Sequence, residues 1–156
     1  APRAGSEGRF NIQTRSHTMR FMIIVRATKD SEAGVMPGEG LLAEMAGYHE
    51  ELAKAGVLID GSGLQPSAKG WRITYSGTEK TIVDGPFAET KELIVGYTII
   101  QVQSRDEAME WSRRFPNPAG GGAKGEIEVR QMFELEDFGQ GDEVERFRKI
   151  GVGGTG

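Results

Sequence analysis

The chain has no cysteine and only two histidines among its 156 residues. Disulfides and thiolate metal sites are therefore excluded, and a reducing, cytoplasmic setting is the natural expectation. The acidic residues and His49 show no metal-ligand spacing, so no metal is expected, and His17 lies in the leader that precedes the domain. His49-Glu50 begins like a zinc-protease helix, but the position that would carry the second histidine is Ala53. A haem would have His49 as its one candidate axial ligand, and no cofactor is expected. No apolar run approaches the ~20 residues that span a bilayer. Lysine and arginine form no cluster, and a net charge of −4 argues against direct nucleic acid binding. No phosphate-cradling glycine pattern joins a strand to a helix.

Glycine is plentiful, at 23 residues, many of them in the polar ends of the chain. Residues 1–18 have no periodicity and read as a disordered leader or extension, with Met19 as the functional start. Their basic, acid-poor composition also suits an organelle transit peptide. Residues 19–135 carry the patterning of one folded domain. Residues 136–156 read as a partly disordered tail with one short helix near Val144, Phe147 and Ile150, too short to stand alone.

Within the domain, Arg20 to Arg26 is a buried-strand run, with Phe21, Ile23 and Val25 on one side and Met22, Ile24 and Arg26 on the other. Gly40 to Ala55 repeats Leu41, Met45, Tyr48 and Leu52 at helical spacing and stops at Gly56. Val57 to Gly61 is a short strand. Trp71 to Tyr75 and Lys80 to Asp84 predict a β-hairpin. Leu93 to Gln103 is the longest strand. Ser104 to Glu107 is a capping box opening a helix that Pro116 ends. Gly125 to Glu134 alternates with Ile127, Val129 and Phe133 inward.

Strand, helix, strand, hairpin, strand, helix, strand is an α+β order. It is the ferredoxin-like βαββαβ pattern with an inserted β-hairpin: an antiparallel sheet with two helices on one face. The other face, holding Met22, Ile24, Tyr97 and Ile99, is too apolar for water, which predicts a two-fold homodimer.

Specific stretches carry a resemblance. They are Met19-Arg20-Phe21-Met22, Tyr48-His49-Glu50-Glu51-Leu52, Gly61-Ser62-Gly63-Leu64-Gln65-Pro66, Gly96-Tyr97 and, most specific, Asp84-Gly85-Pro86-Phe87-Ala88-Glu89-Thr90-Lys91-Glu92. Across about residues 19–134 the chain resembles the YCII-related family, in its DGPF branch. The resemblance implies a dimeric α-β barrel of ferredoxin-like subunits with a cavity between the sheet faces. Some relatives are fused to, or named after, transcription initiation factors. A wider YCII relative is a lactone dehalogenase that uses a His and an Asp. Ile94-Val95-Gly96 stands where paired glycines are usual, so the cavity should be narrower and more apolar there.

Each candidate site residue has two readings. Asp84, beside Phe87 in a partly dry cleft, is either a general acid or base or a cap for its own turn. His49 either relays protons into the cavity or packs by its ring on a helix surface. Arg26 either holds a substrate carboxylate or forms an inter-subunit ion pair with a carboxylate such as Asp60. Phe87 and Tyr97 would line the substrate site, although tyrosines such as Tyr48 and Tyr97 are also ordinary core or interface residues. Glu89, Lys91 and Glu92 form a solvated lip, and Trp71 and Trp111 read as packing residues. The functional expectation is a small-molecule pocket at the barrel. It serves either as a cofactor-free acid–base enzyme (lyase or isomerase type) on a small carboxylate or lactone, or as a non-catalytic metabolite-sensing or interaction module linked to transcription.

Overall fold

The computed structural model of the protein describes residues 17–154, so the leader expected at 1–18 lies almost wholly outside the described residues. In chain order the elements are β1 (Met19–Arg26), α1 (Lys29–Glu32), α2 (Glu39–Lys54), β2 (Leu58–Gly63), β3 (Trp71–Ser76), β4 (Glu79–Asp84), β5 (Ile94–Val102), α3 (Arg105–Arg113), β6 (Ile127–Gln131) and α4 (Asp142–Lys149). One sheet has the strand order β2-β5-β1-β6, and a separate two-stranded sheet is formed by β3 and β4. Every neighbouring pair in both sheets is antiparallel. The architecture is mixed α+β.

Local chemistry sets the boundaries. The last turn of α2 closes with the Val57 amide donating to the Leu52 carbonyl and the Gly56 amide to that of Ala53, while Gly56 takes φ +74°. That double bond around a left-handed glycine is the common helix stop. At the start of α3 the Glu107 amide donates to Ser104 Oγ at 3.1 Å, and Glu107 Oε2 accepts from the Gln103 amide at 2.8 Å. The helix α1 is a single turn between β1 and α2; Thr28 and Ser31 cap it reciprocally. β6 is shorter than the alternation predicts, ending at Gln131.

The core lies between one face of the large sheet and the helices α2 and α3. Phe21 and Ile23 of β1, Ile100 and Val102 of β5, Tyr48 and Leu52 of α2 and Ala108 of α3 form one buried cluster, with Leu58, Trp111, Phe115, Ile127 and Val129 packed around it. Burying a side chain of this size contributes roughly 1.5–3 kcal/mol, so Ile23, Leu52, Ile100 and Val102, all fully buried, dominate the fold. Phe133 departs from its expected inward place: it is 70% exposed because β6 ends before it, and its ring packs 5.2 Å from that of Phe138 instead. Trp71 likewise is no core residue, at 63% exposed. Trp111 does pack, edge-on to Tyr48 at 6.5 Å with the Arg114 guanidinium 3.9 Å over its ring.

The tail folds back. Arg20 Nε donates to Glu134 at 2.9 Å, and Nη2 donates to the carbonyls of Phe133 at 3.1 Å and Gly153 at 3.0 Å. Val144 of α4 is buried, and the helix packs on the turn at Leu135–Phe138. The tail is thus anchored at the Arg20 end of the sheet's second face, while Met22, Ile24, Tyr97 and Ile99 on that face remain partly exposed.

Candidate functional site

That second face has a definite layout. The register aligns Ser62, Tyr97, Ile24 and Glu128 in one row and Asp60, Ile99, Met22 and Arg130 in the next. Apolar side chains from the two central strands make a floor, and polar ones from the edge strands make its rim. Arg26 stands on the same face at the end of β1 by simple alternation. Its Nη2 donates to Glu128 Oε1 at 3.0 Å, and Nη1 reaches the Glu92 carbonyl at 3.4 Å. Within the subunit the carboxylate partner of Arg26 is Glu128. Asp60 instead accepts from the Tyr97 hydroxyl at 3.2 Å and from the Gly61 amide at 2.8 Å. An irregularity between Leu58 and Asp60 re-aims β2 at this point, as bulges beside sites commonly do. Gly96 allows β2 and β5 their close approach, since a Cβ there would lie 2.9 Å from the Ser62 carbonyl oxygen.

The turn from Asp84 to Phe87 is clamped from three sides. Its Gly85-Pro86 peptide is cis. The Gly85 amide donates to the Gly70 carbonyl at 2.9 Å, and any Cβ at Gly85 would overlap the Ser67 carbonyl oxygen. The Phe87 amide donates to Ser67 Oγ at 3.1 Å. Ser67 in turn donates its amide at 3.1 Å and its hydroxyl, by a short bond, to the Glu32 carboxylate on α1. Arg72 lies 3.9 Å over the Phe87 ring. Asp84 itself is exposed, and among the described residues its carboxylate accepts no hydrogen bond. The turn is held by serine and glutamate rather than by its own aspartate.

His49 sits on the other side of the large sheet. It projects from α2 toward the sheet, where its Nδ1 is 2.7 Å from the Met45 carbonyl and its Nε2 is 2.8 Å from Thr98 Oγ1. A carbonyl only accepts, so Nδ1 carries a proton, and Nε2 and the threonine hydroxyl are paired with each other. Thr98 faces the helices and Tyr97 the opposite side, so the structure does not bring His49 to Arg26 or Tyr97 within one subunit. His49 is also no ring-only surface residue, because both nitrogens are engaged.

Tyr48 is committed to the fold. Its hydroxyl donates to the Trp111 carbonyl at 2.9 Å. Burial pushes its pKa up to about 12 against the lowering effect of nearby Arg114, with Glu51 adding to the rise. Tyr48 also borders a shallow hollow of about 350 Å³ formed with Glu44, Gly47, Glu51, Arg114 and Pro116. Among the described residues no group of His, Asp and Glu is arranged to hold a metal ion, and no helix is long and apolar enough to cross a membrane.

Sequence reasoning missed Glu128 and the Glu32–Ser67 clamp. Glu128 has the right parity in an alternating strand, yet its meeting with Arg26 depends on β6 lying beside β1. Glu32 and Ser67 are 35 residues apart, with no shared motif to link them.

Two comparisons bear on identity. The YCII-related domain matches residues 19–136, which spans the large sheet, the hairpin and both packing helices. An uncharacterised protein of Rhizobium meliloti (strain 1021) is 31% identical over 94 residues, covering 60% of this chain and 74% of the relative. That match, over most of the chain, places it in the YCII-related family.

Proposed function

We propose that the protein is a ferredoxin-like member of the DGPF branch that works as a dimeric α-β barrel, binding a small carboxylate or lactone on the open face of its large sheet. The observation that carries this reading is the composition of that face. Its floor is Met22, Ile24, Tyr97 and Ile99, and charged or hydrogen-bonding groups stand at its edge strands, while the opposite face is already filled by α2 and α3. An apolar floor with a few convergent polar groups is what small-molecule sites are made of. In this reading Arg26 takes the ligand carboxylate by exchanging one of its contacts with Glu128, and Tyr97 offers its hydroxyl beside Asp60. Phe87 lines the approach. His49 enters as the residue that braces β5 from beneath through Thr98, not as a group that touches the ligand.

A second reading, acid–base catalysis of the lyase or isomerase type, is favoured by Asp84. Its carboxylate has no partner among the described residues, yet the turn carrying it is rigidly clamped. Non-catalytic sensing linked to transcription uses the same ligand site without a role for Asp84.

Ligand-observed NMR with a panel of short carboxylates and lactones tests the proposal. Binding that Arg26→Ala abolishes and His49→Gln preserves supports the open-face site. Binding unaffected by Arg26→Ala overturns it. Turnover lost in Asp84→Asn with binding retained would select catalysis over sensing.

A further inference from the structure

The two strands of the β3–β4 hairpin are exposed along their whole length. Their register puts Trp71, Ile73, Tyr75, Lys80, Ile82 and Asp84 on one side. Four of these are large and apolar, exposed at 63%, 40%, 67% and 66% for Trp71, Ile73, Tyr75 and Ile82. An isolated two-stranded hairpin is marginal in water and needs cover on a hydrophobic face. The base of this one is nonetheless firmly rooted, through the Gly85 amide on Gly70, the Arg72 guanidinium on Phe87 and the Ser67–Glu32 clamp. The arm is held out with its apolar side bare.

We propose that this apolar side is a clasp for a second copy of the chain, with the two arms lying antiparallel across a two-fold axis. The inference rests on the dimer reading above and specifies a contact that reading does not contain. Charge selects the occupant. Lys80 lies opposite Tyr75 toward the tip of the arm, and Asp84 lies opposite Trp71 at its base. Antiparallel overlap of two identical arms brings Lys80 of each to the partner subunit's Asp84, and the aromatic of each tip onto that of the partner's base. A surface that is self-complementary in this way is what an isologous interface requires. Area agrees. A large aromatic buries about 150–250 Å², so these four side chains supply roughly 400 Å² per copy. A stable interface needs ~800 Å² per partner, and the open sheet face supplies the remainder. The clasp also gives Asp84 a cationic partner, which sets it against the catalytic reading of that residue.

The absence of native cysteine makes the test clean. Ile73→Cys lies near the middle of the clasp and should give a disulfide-linked dimer on mild oxidation, whereas Thr74→Cys, on the other side of the same strand, should not. Sedimentation should show the dimer weakened about tenfold or more by Lys80→Glu or by Asp84→Lys alone, and restored in the double reversal. The clasp is overturned if neither reversal weakens the dimer, if the double variant shows no rescue, or if Ile73→Cys and Thr74→Cys cross-link alike. Ile24→Lys, in the floor of the open face, tests the barrel separately. A dimer broken by Ile24→Lys but indifferent to the arm variants refutes the clasp and leaves the barrel reading standing. A wild-type chain that is monomeric throughout removes both.

Discussion

Thr98 Oγ1 and His49 Nε2 lie 2.8 Å apart across the junction of β5 and α2, and the threonine is only 2% exposed. Each side chain answers the other's buried polar atom, so the pair joins the sheet to its principal helix. It also orients the imidazole away from the face that carries Arg26 and Tyr97. His49→Phe should therefore destabilise the domain by about 1–3 kcal/mol, the cost of leaving a buried hydroxyl unsatisfied. In His49→Phe/Thr98→Val much of that loss should return, and a double-mutant cycle on melting curves measures the coupling. Additive losses would mean the bond contributes nothing.

In the isolated monomer Asp84→Asn should leave the melting temperature close to that of the wild type, because no amide of the turn depends on the carboxylate. Exposed substitutions of this kind usually stay within about 0.5 kcal/mol. A larger loss measured on the isolated monomer would show that the aspartate holds the turn.

Ser67→Ala removes the acceptor of the Phe87 amide and a donor to Glu32 together. The expected cost is about 1–2 kcal/mol, with faster hydrogen exchange at the Phe87 amide as the local signature. Gly85→Ala should be worse, since its methyl has to displace the Ser67 carbonyl, and exchange protection of the whole turn should be lost.

Tyr48 gives the fold a pH dependence. Its folded pKa is raised from 10.0 to about 12, so above pH ~10 the unfolded chain releases this proton first. The stabilising effect is whole below pH ~10 and is lost as the pH rises toward about 12, by up to roughly 2–3 kcal/mol. Denaturant melts across that window should show the decline. In Tyr48→Phe this component should vanish, leaving a variant less stable at neutral pH by its lost bond to the Trp111 carbonyl.

Arg20→Met should release the tail without unfolding the body. The guanidinium ties Glu134 and the carbonyls of Phe133 and Gly153 to the start of β1, whereas the core cluster includes no tail residue. Limited proteolysis should cut the variant faster beyond residue 134, and the resulting body should melt as one unit.

The sequence by itself determined which residues of β1 and β5 face which way. Alternation in β1 and β5 separates Phe21, Ile23 and Ile100 from Met22, Ile24 and Tyr97, and Gly56, Ser104 and Gly85 mark helix ends and the sharp turn. These are short-range properties: period, cap and backbone freedom are written within a few neighbouring residues. Tertiary structure alone decided which residues meet. Arg26 meets Glu128 because β6 pairs with β1. His49 meets Thr98 because α2 packs on the sheet face to which Thr98 points, and Phe133 turned outward because β6 stops at Gln131. Such pairings depend on strand order and on helix placement, which join residues scores of positions apart and leave no periodic trace in the chain.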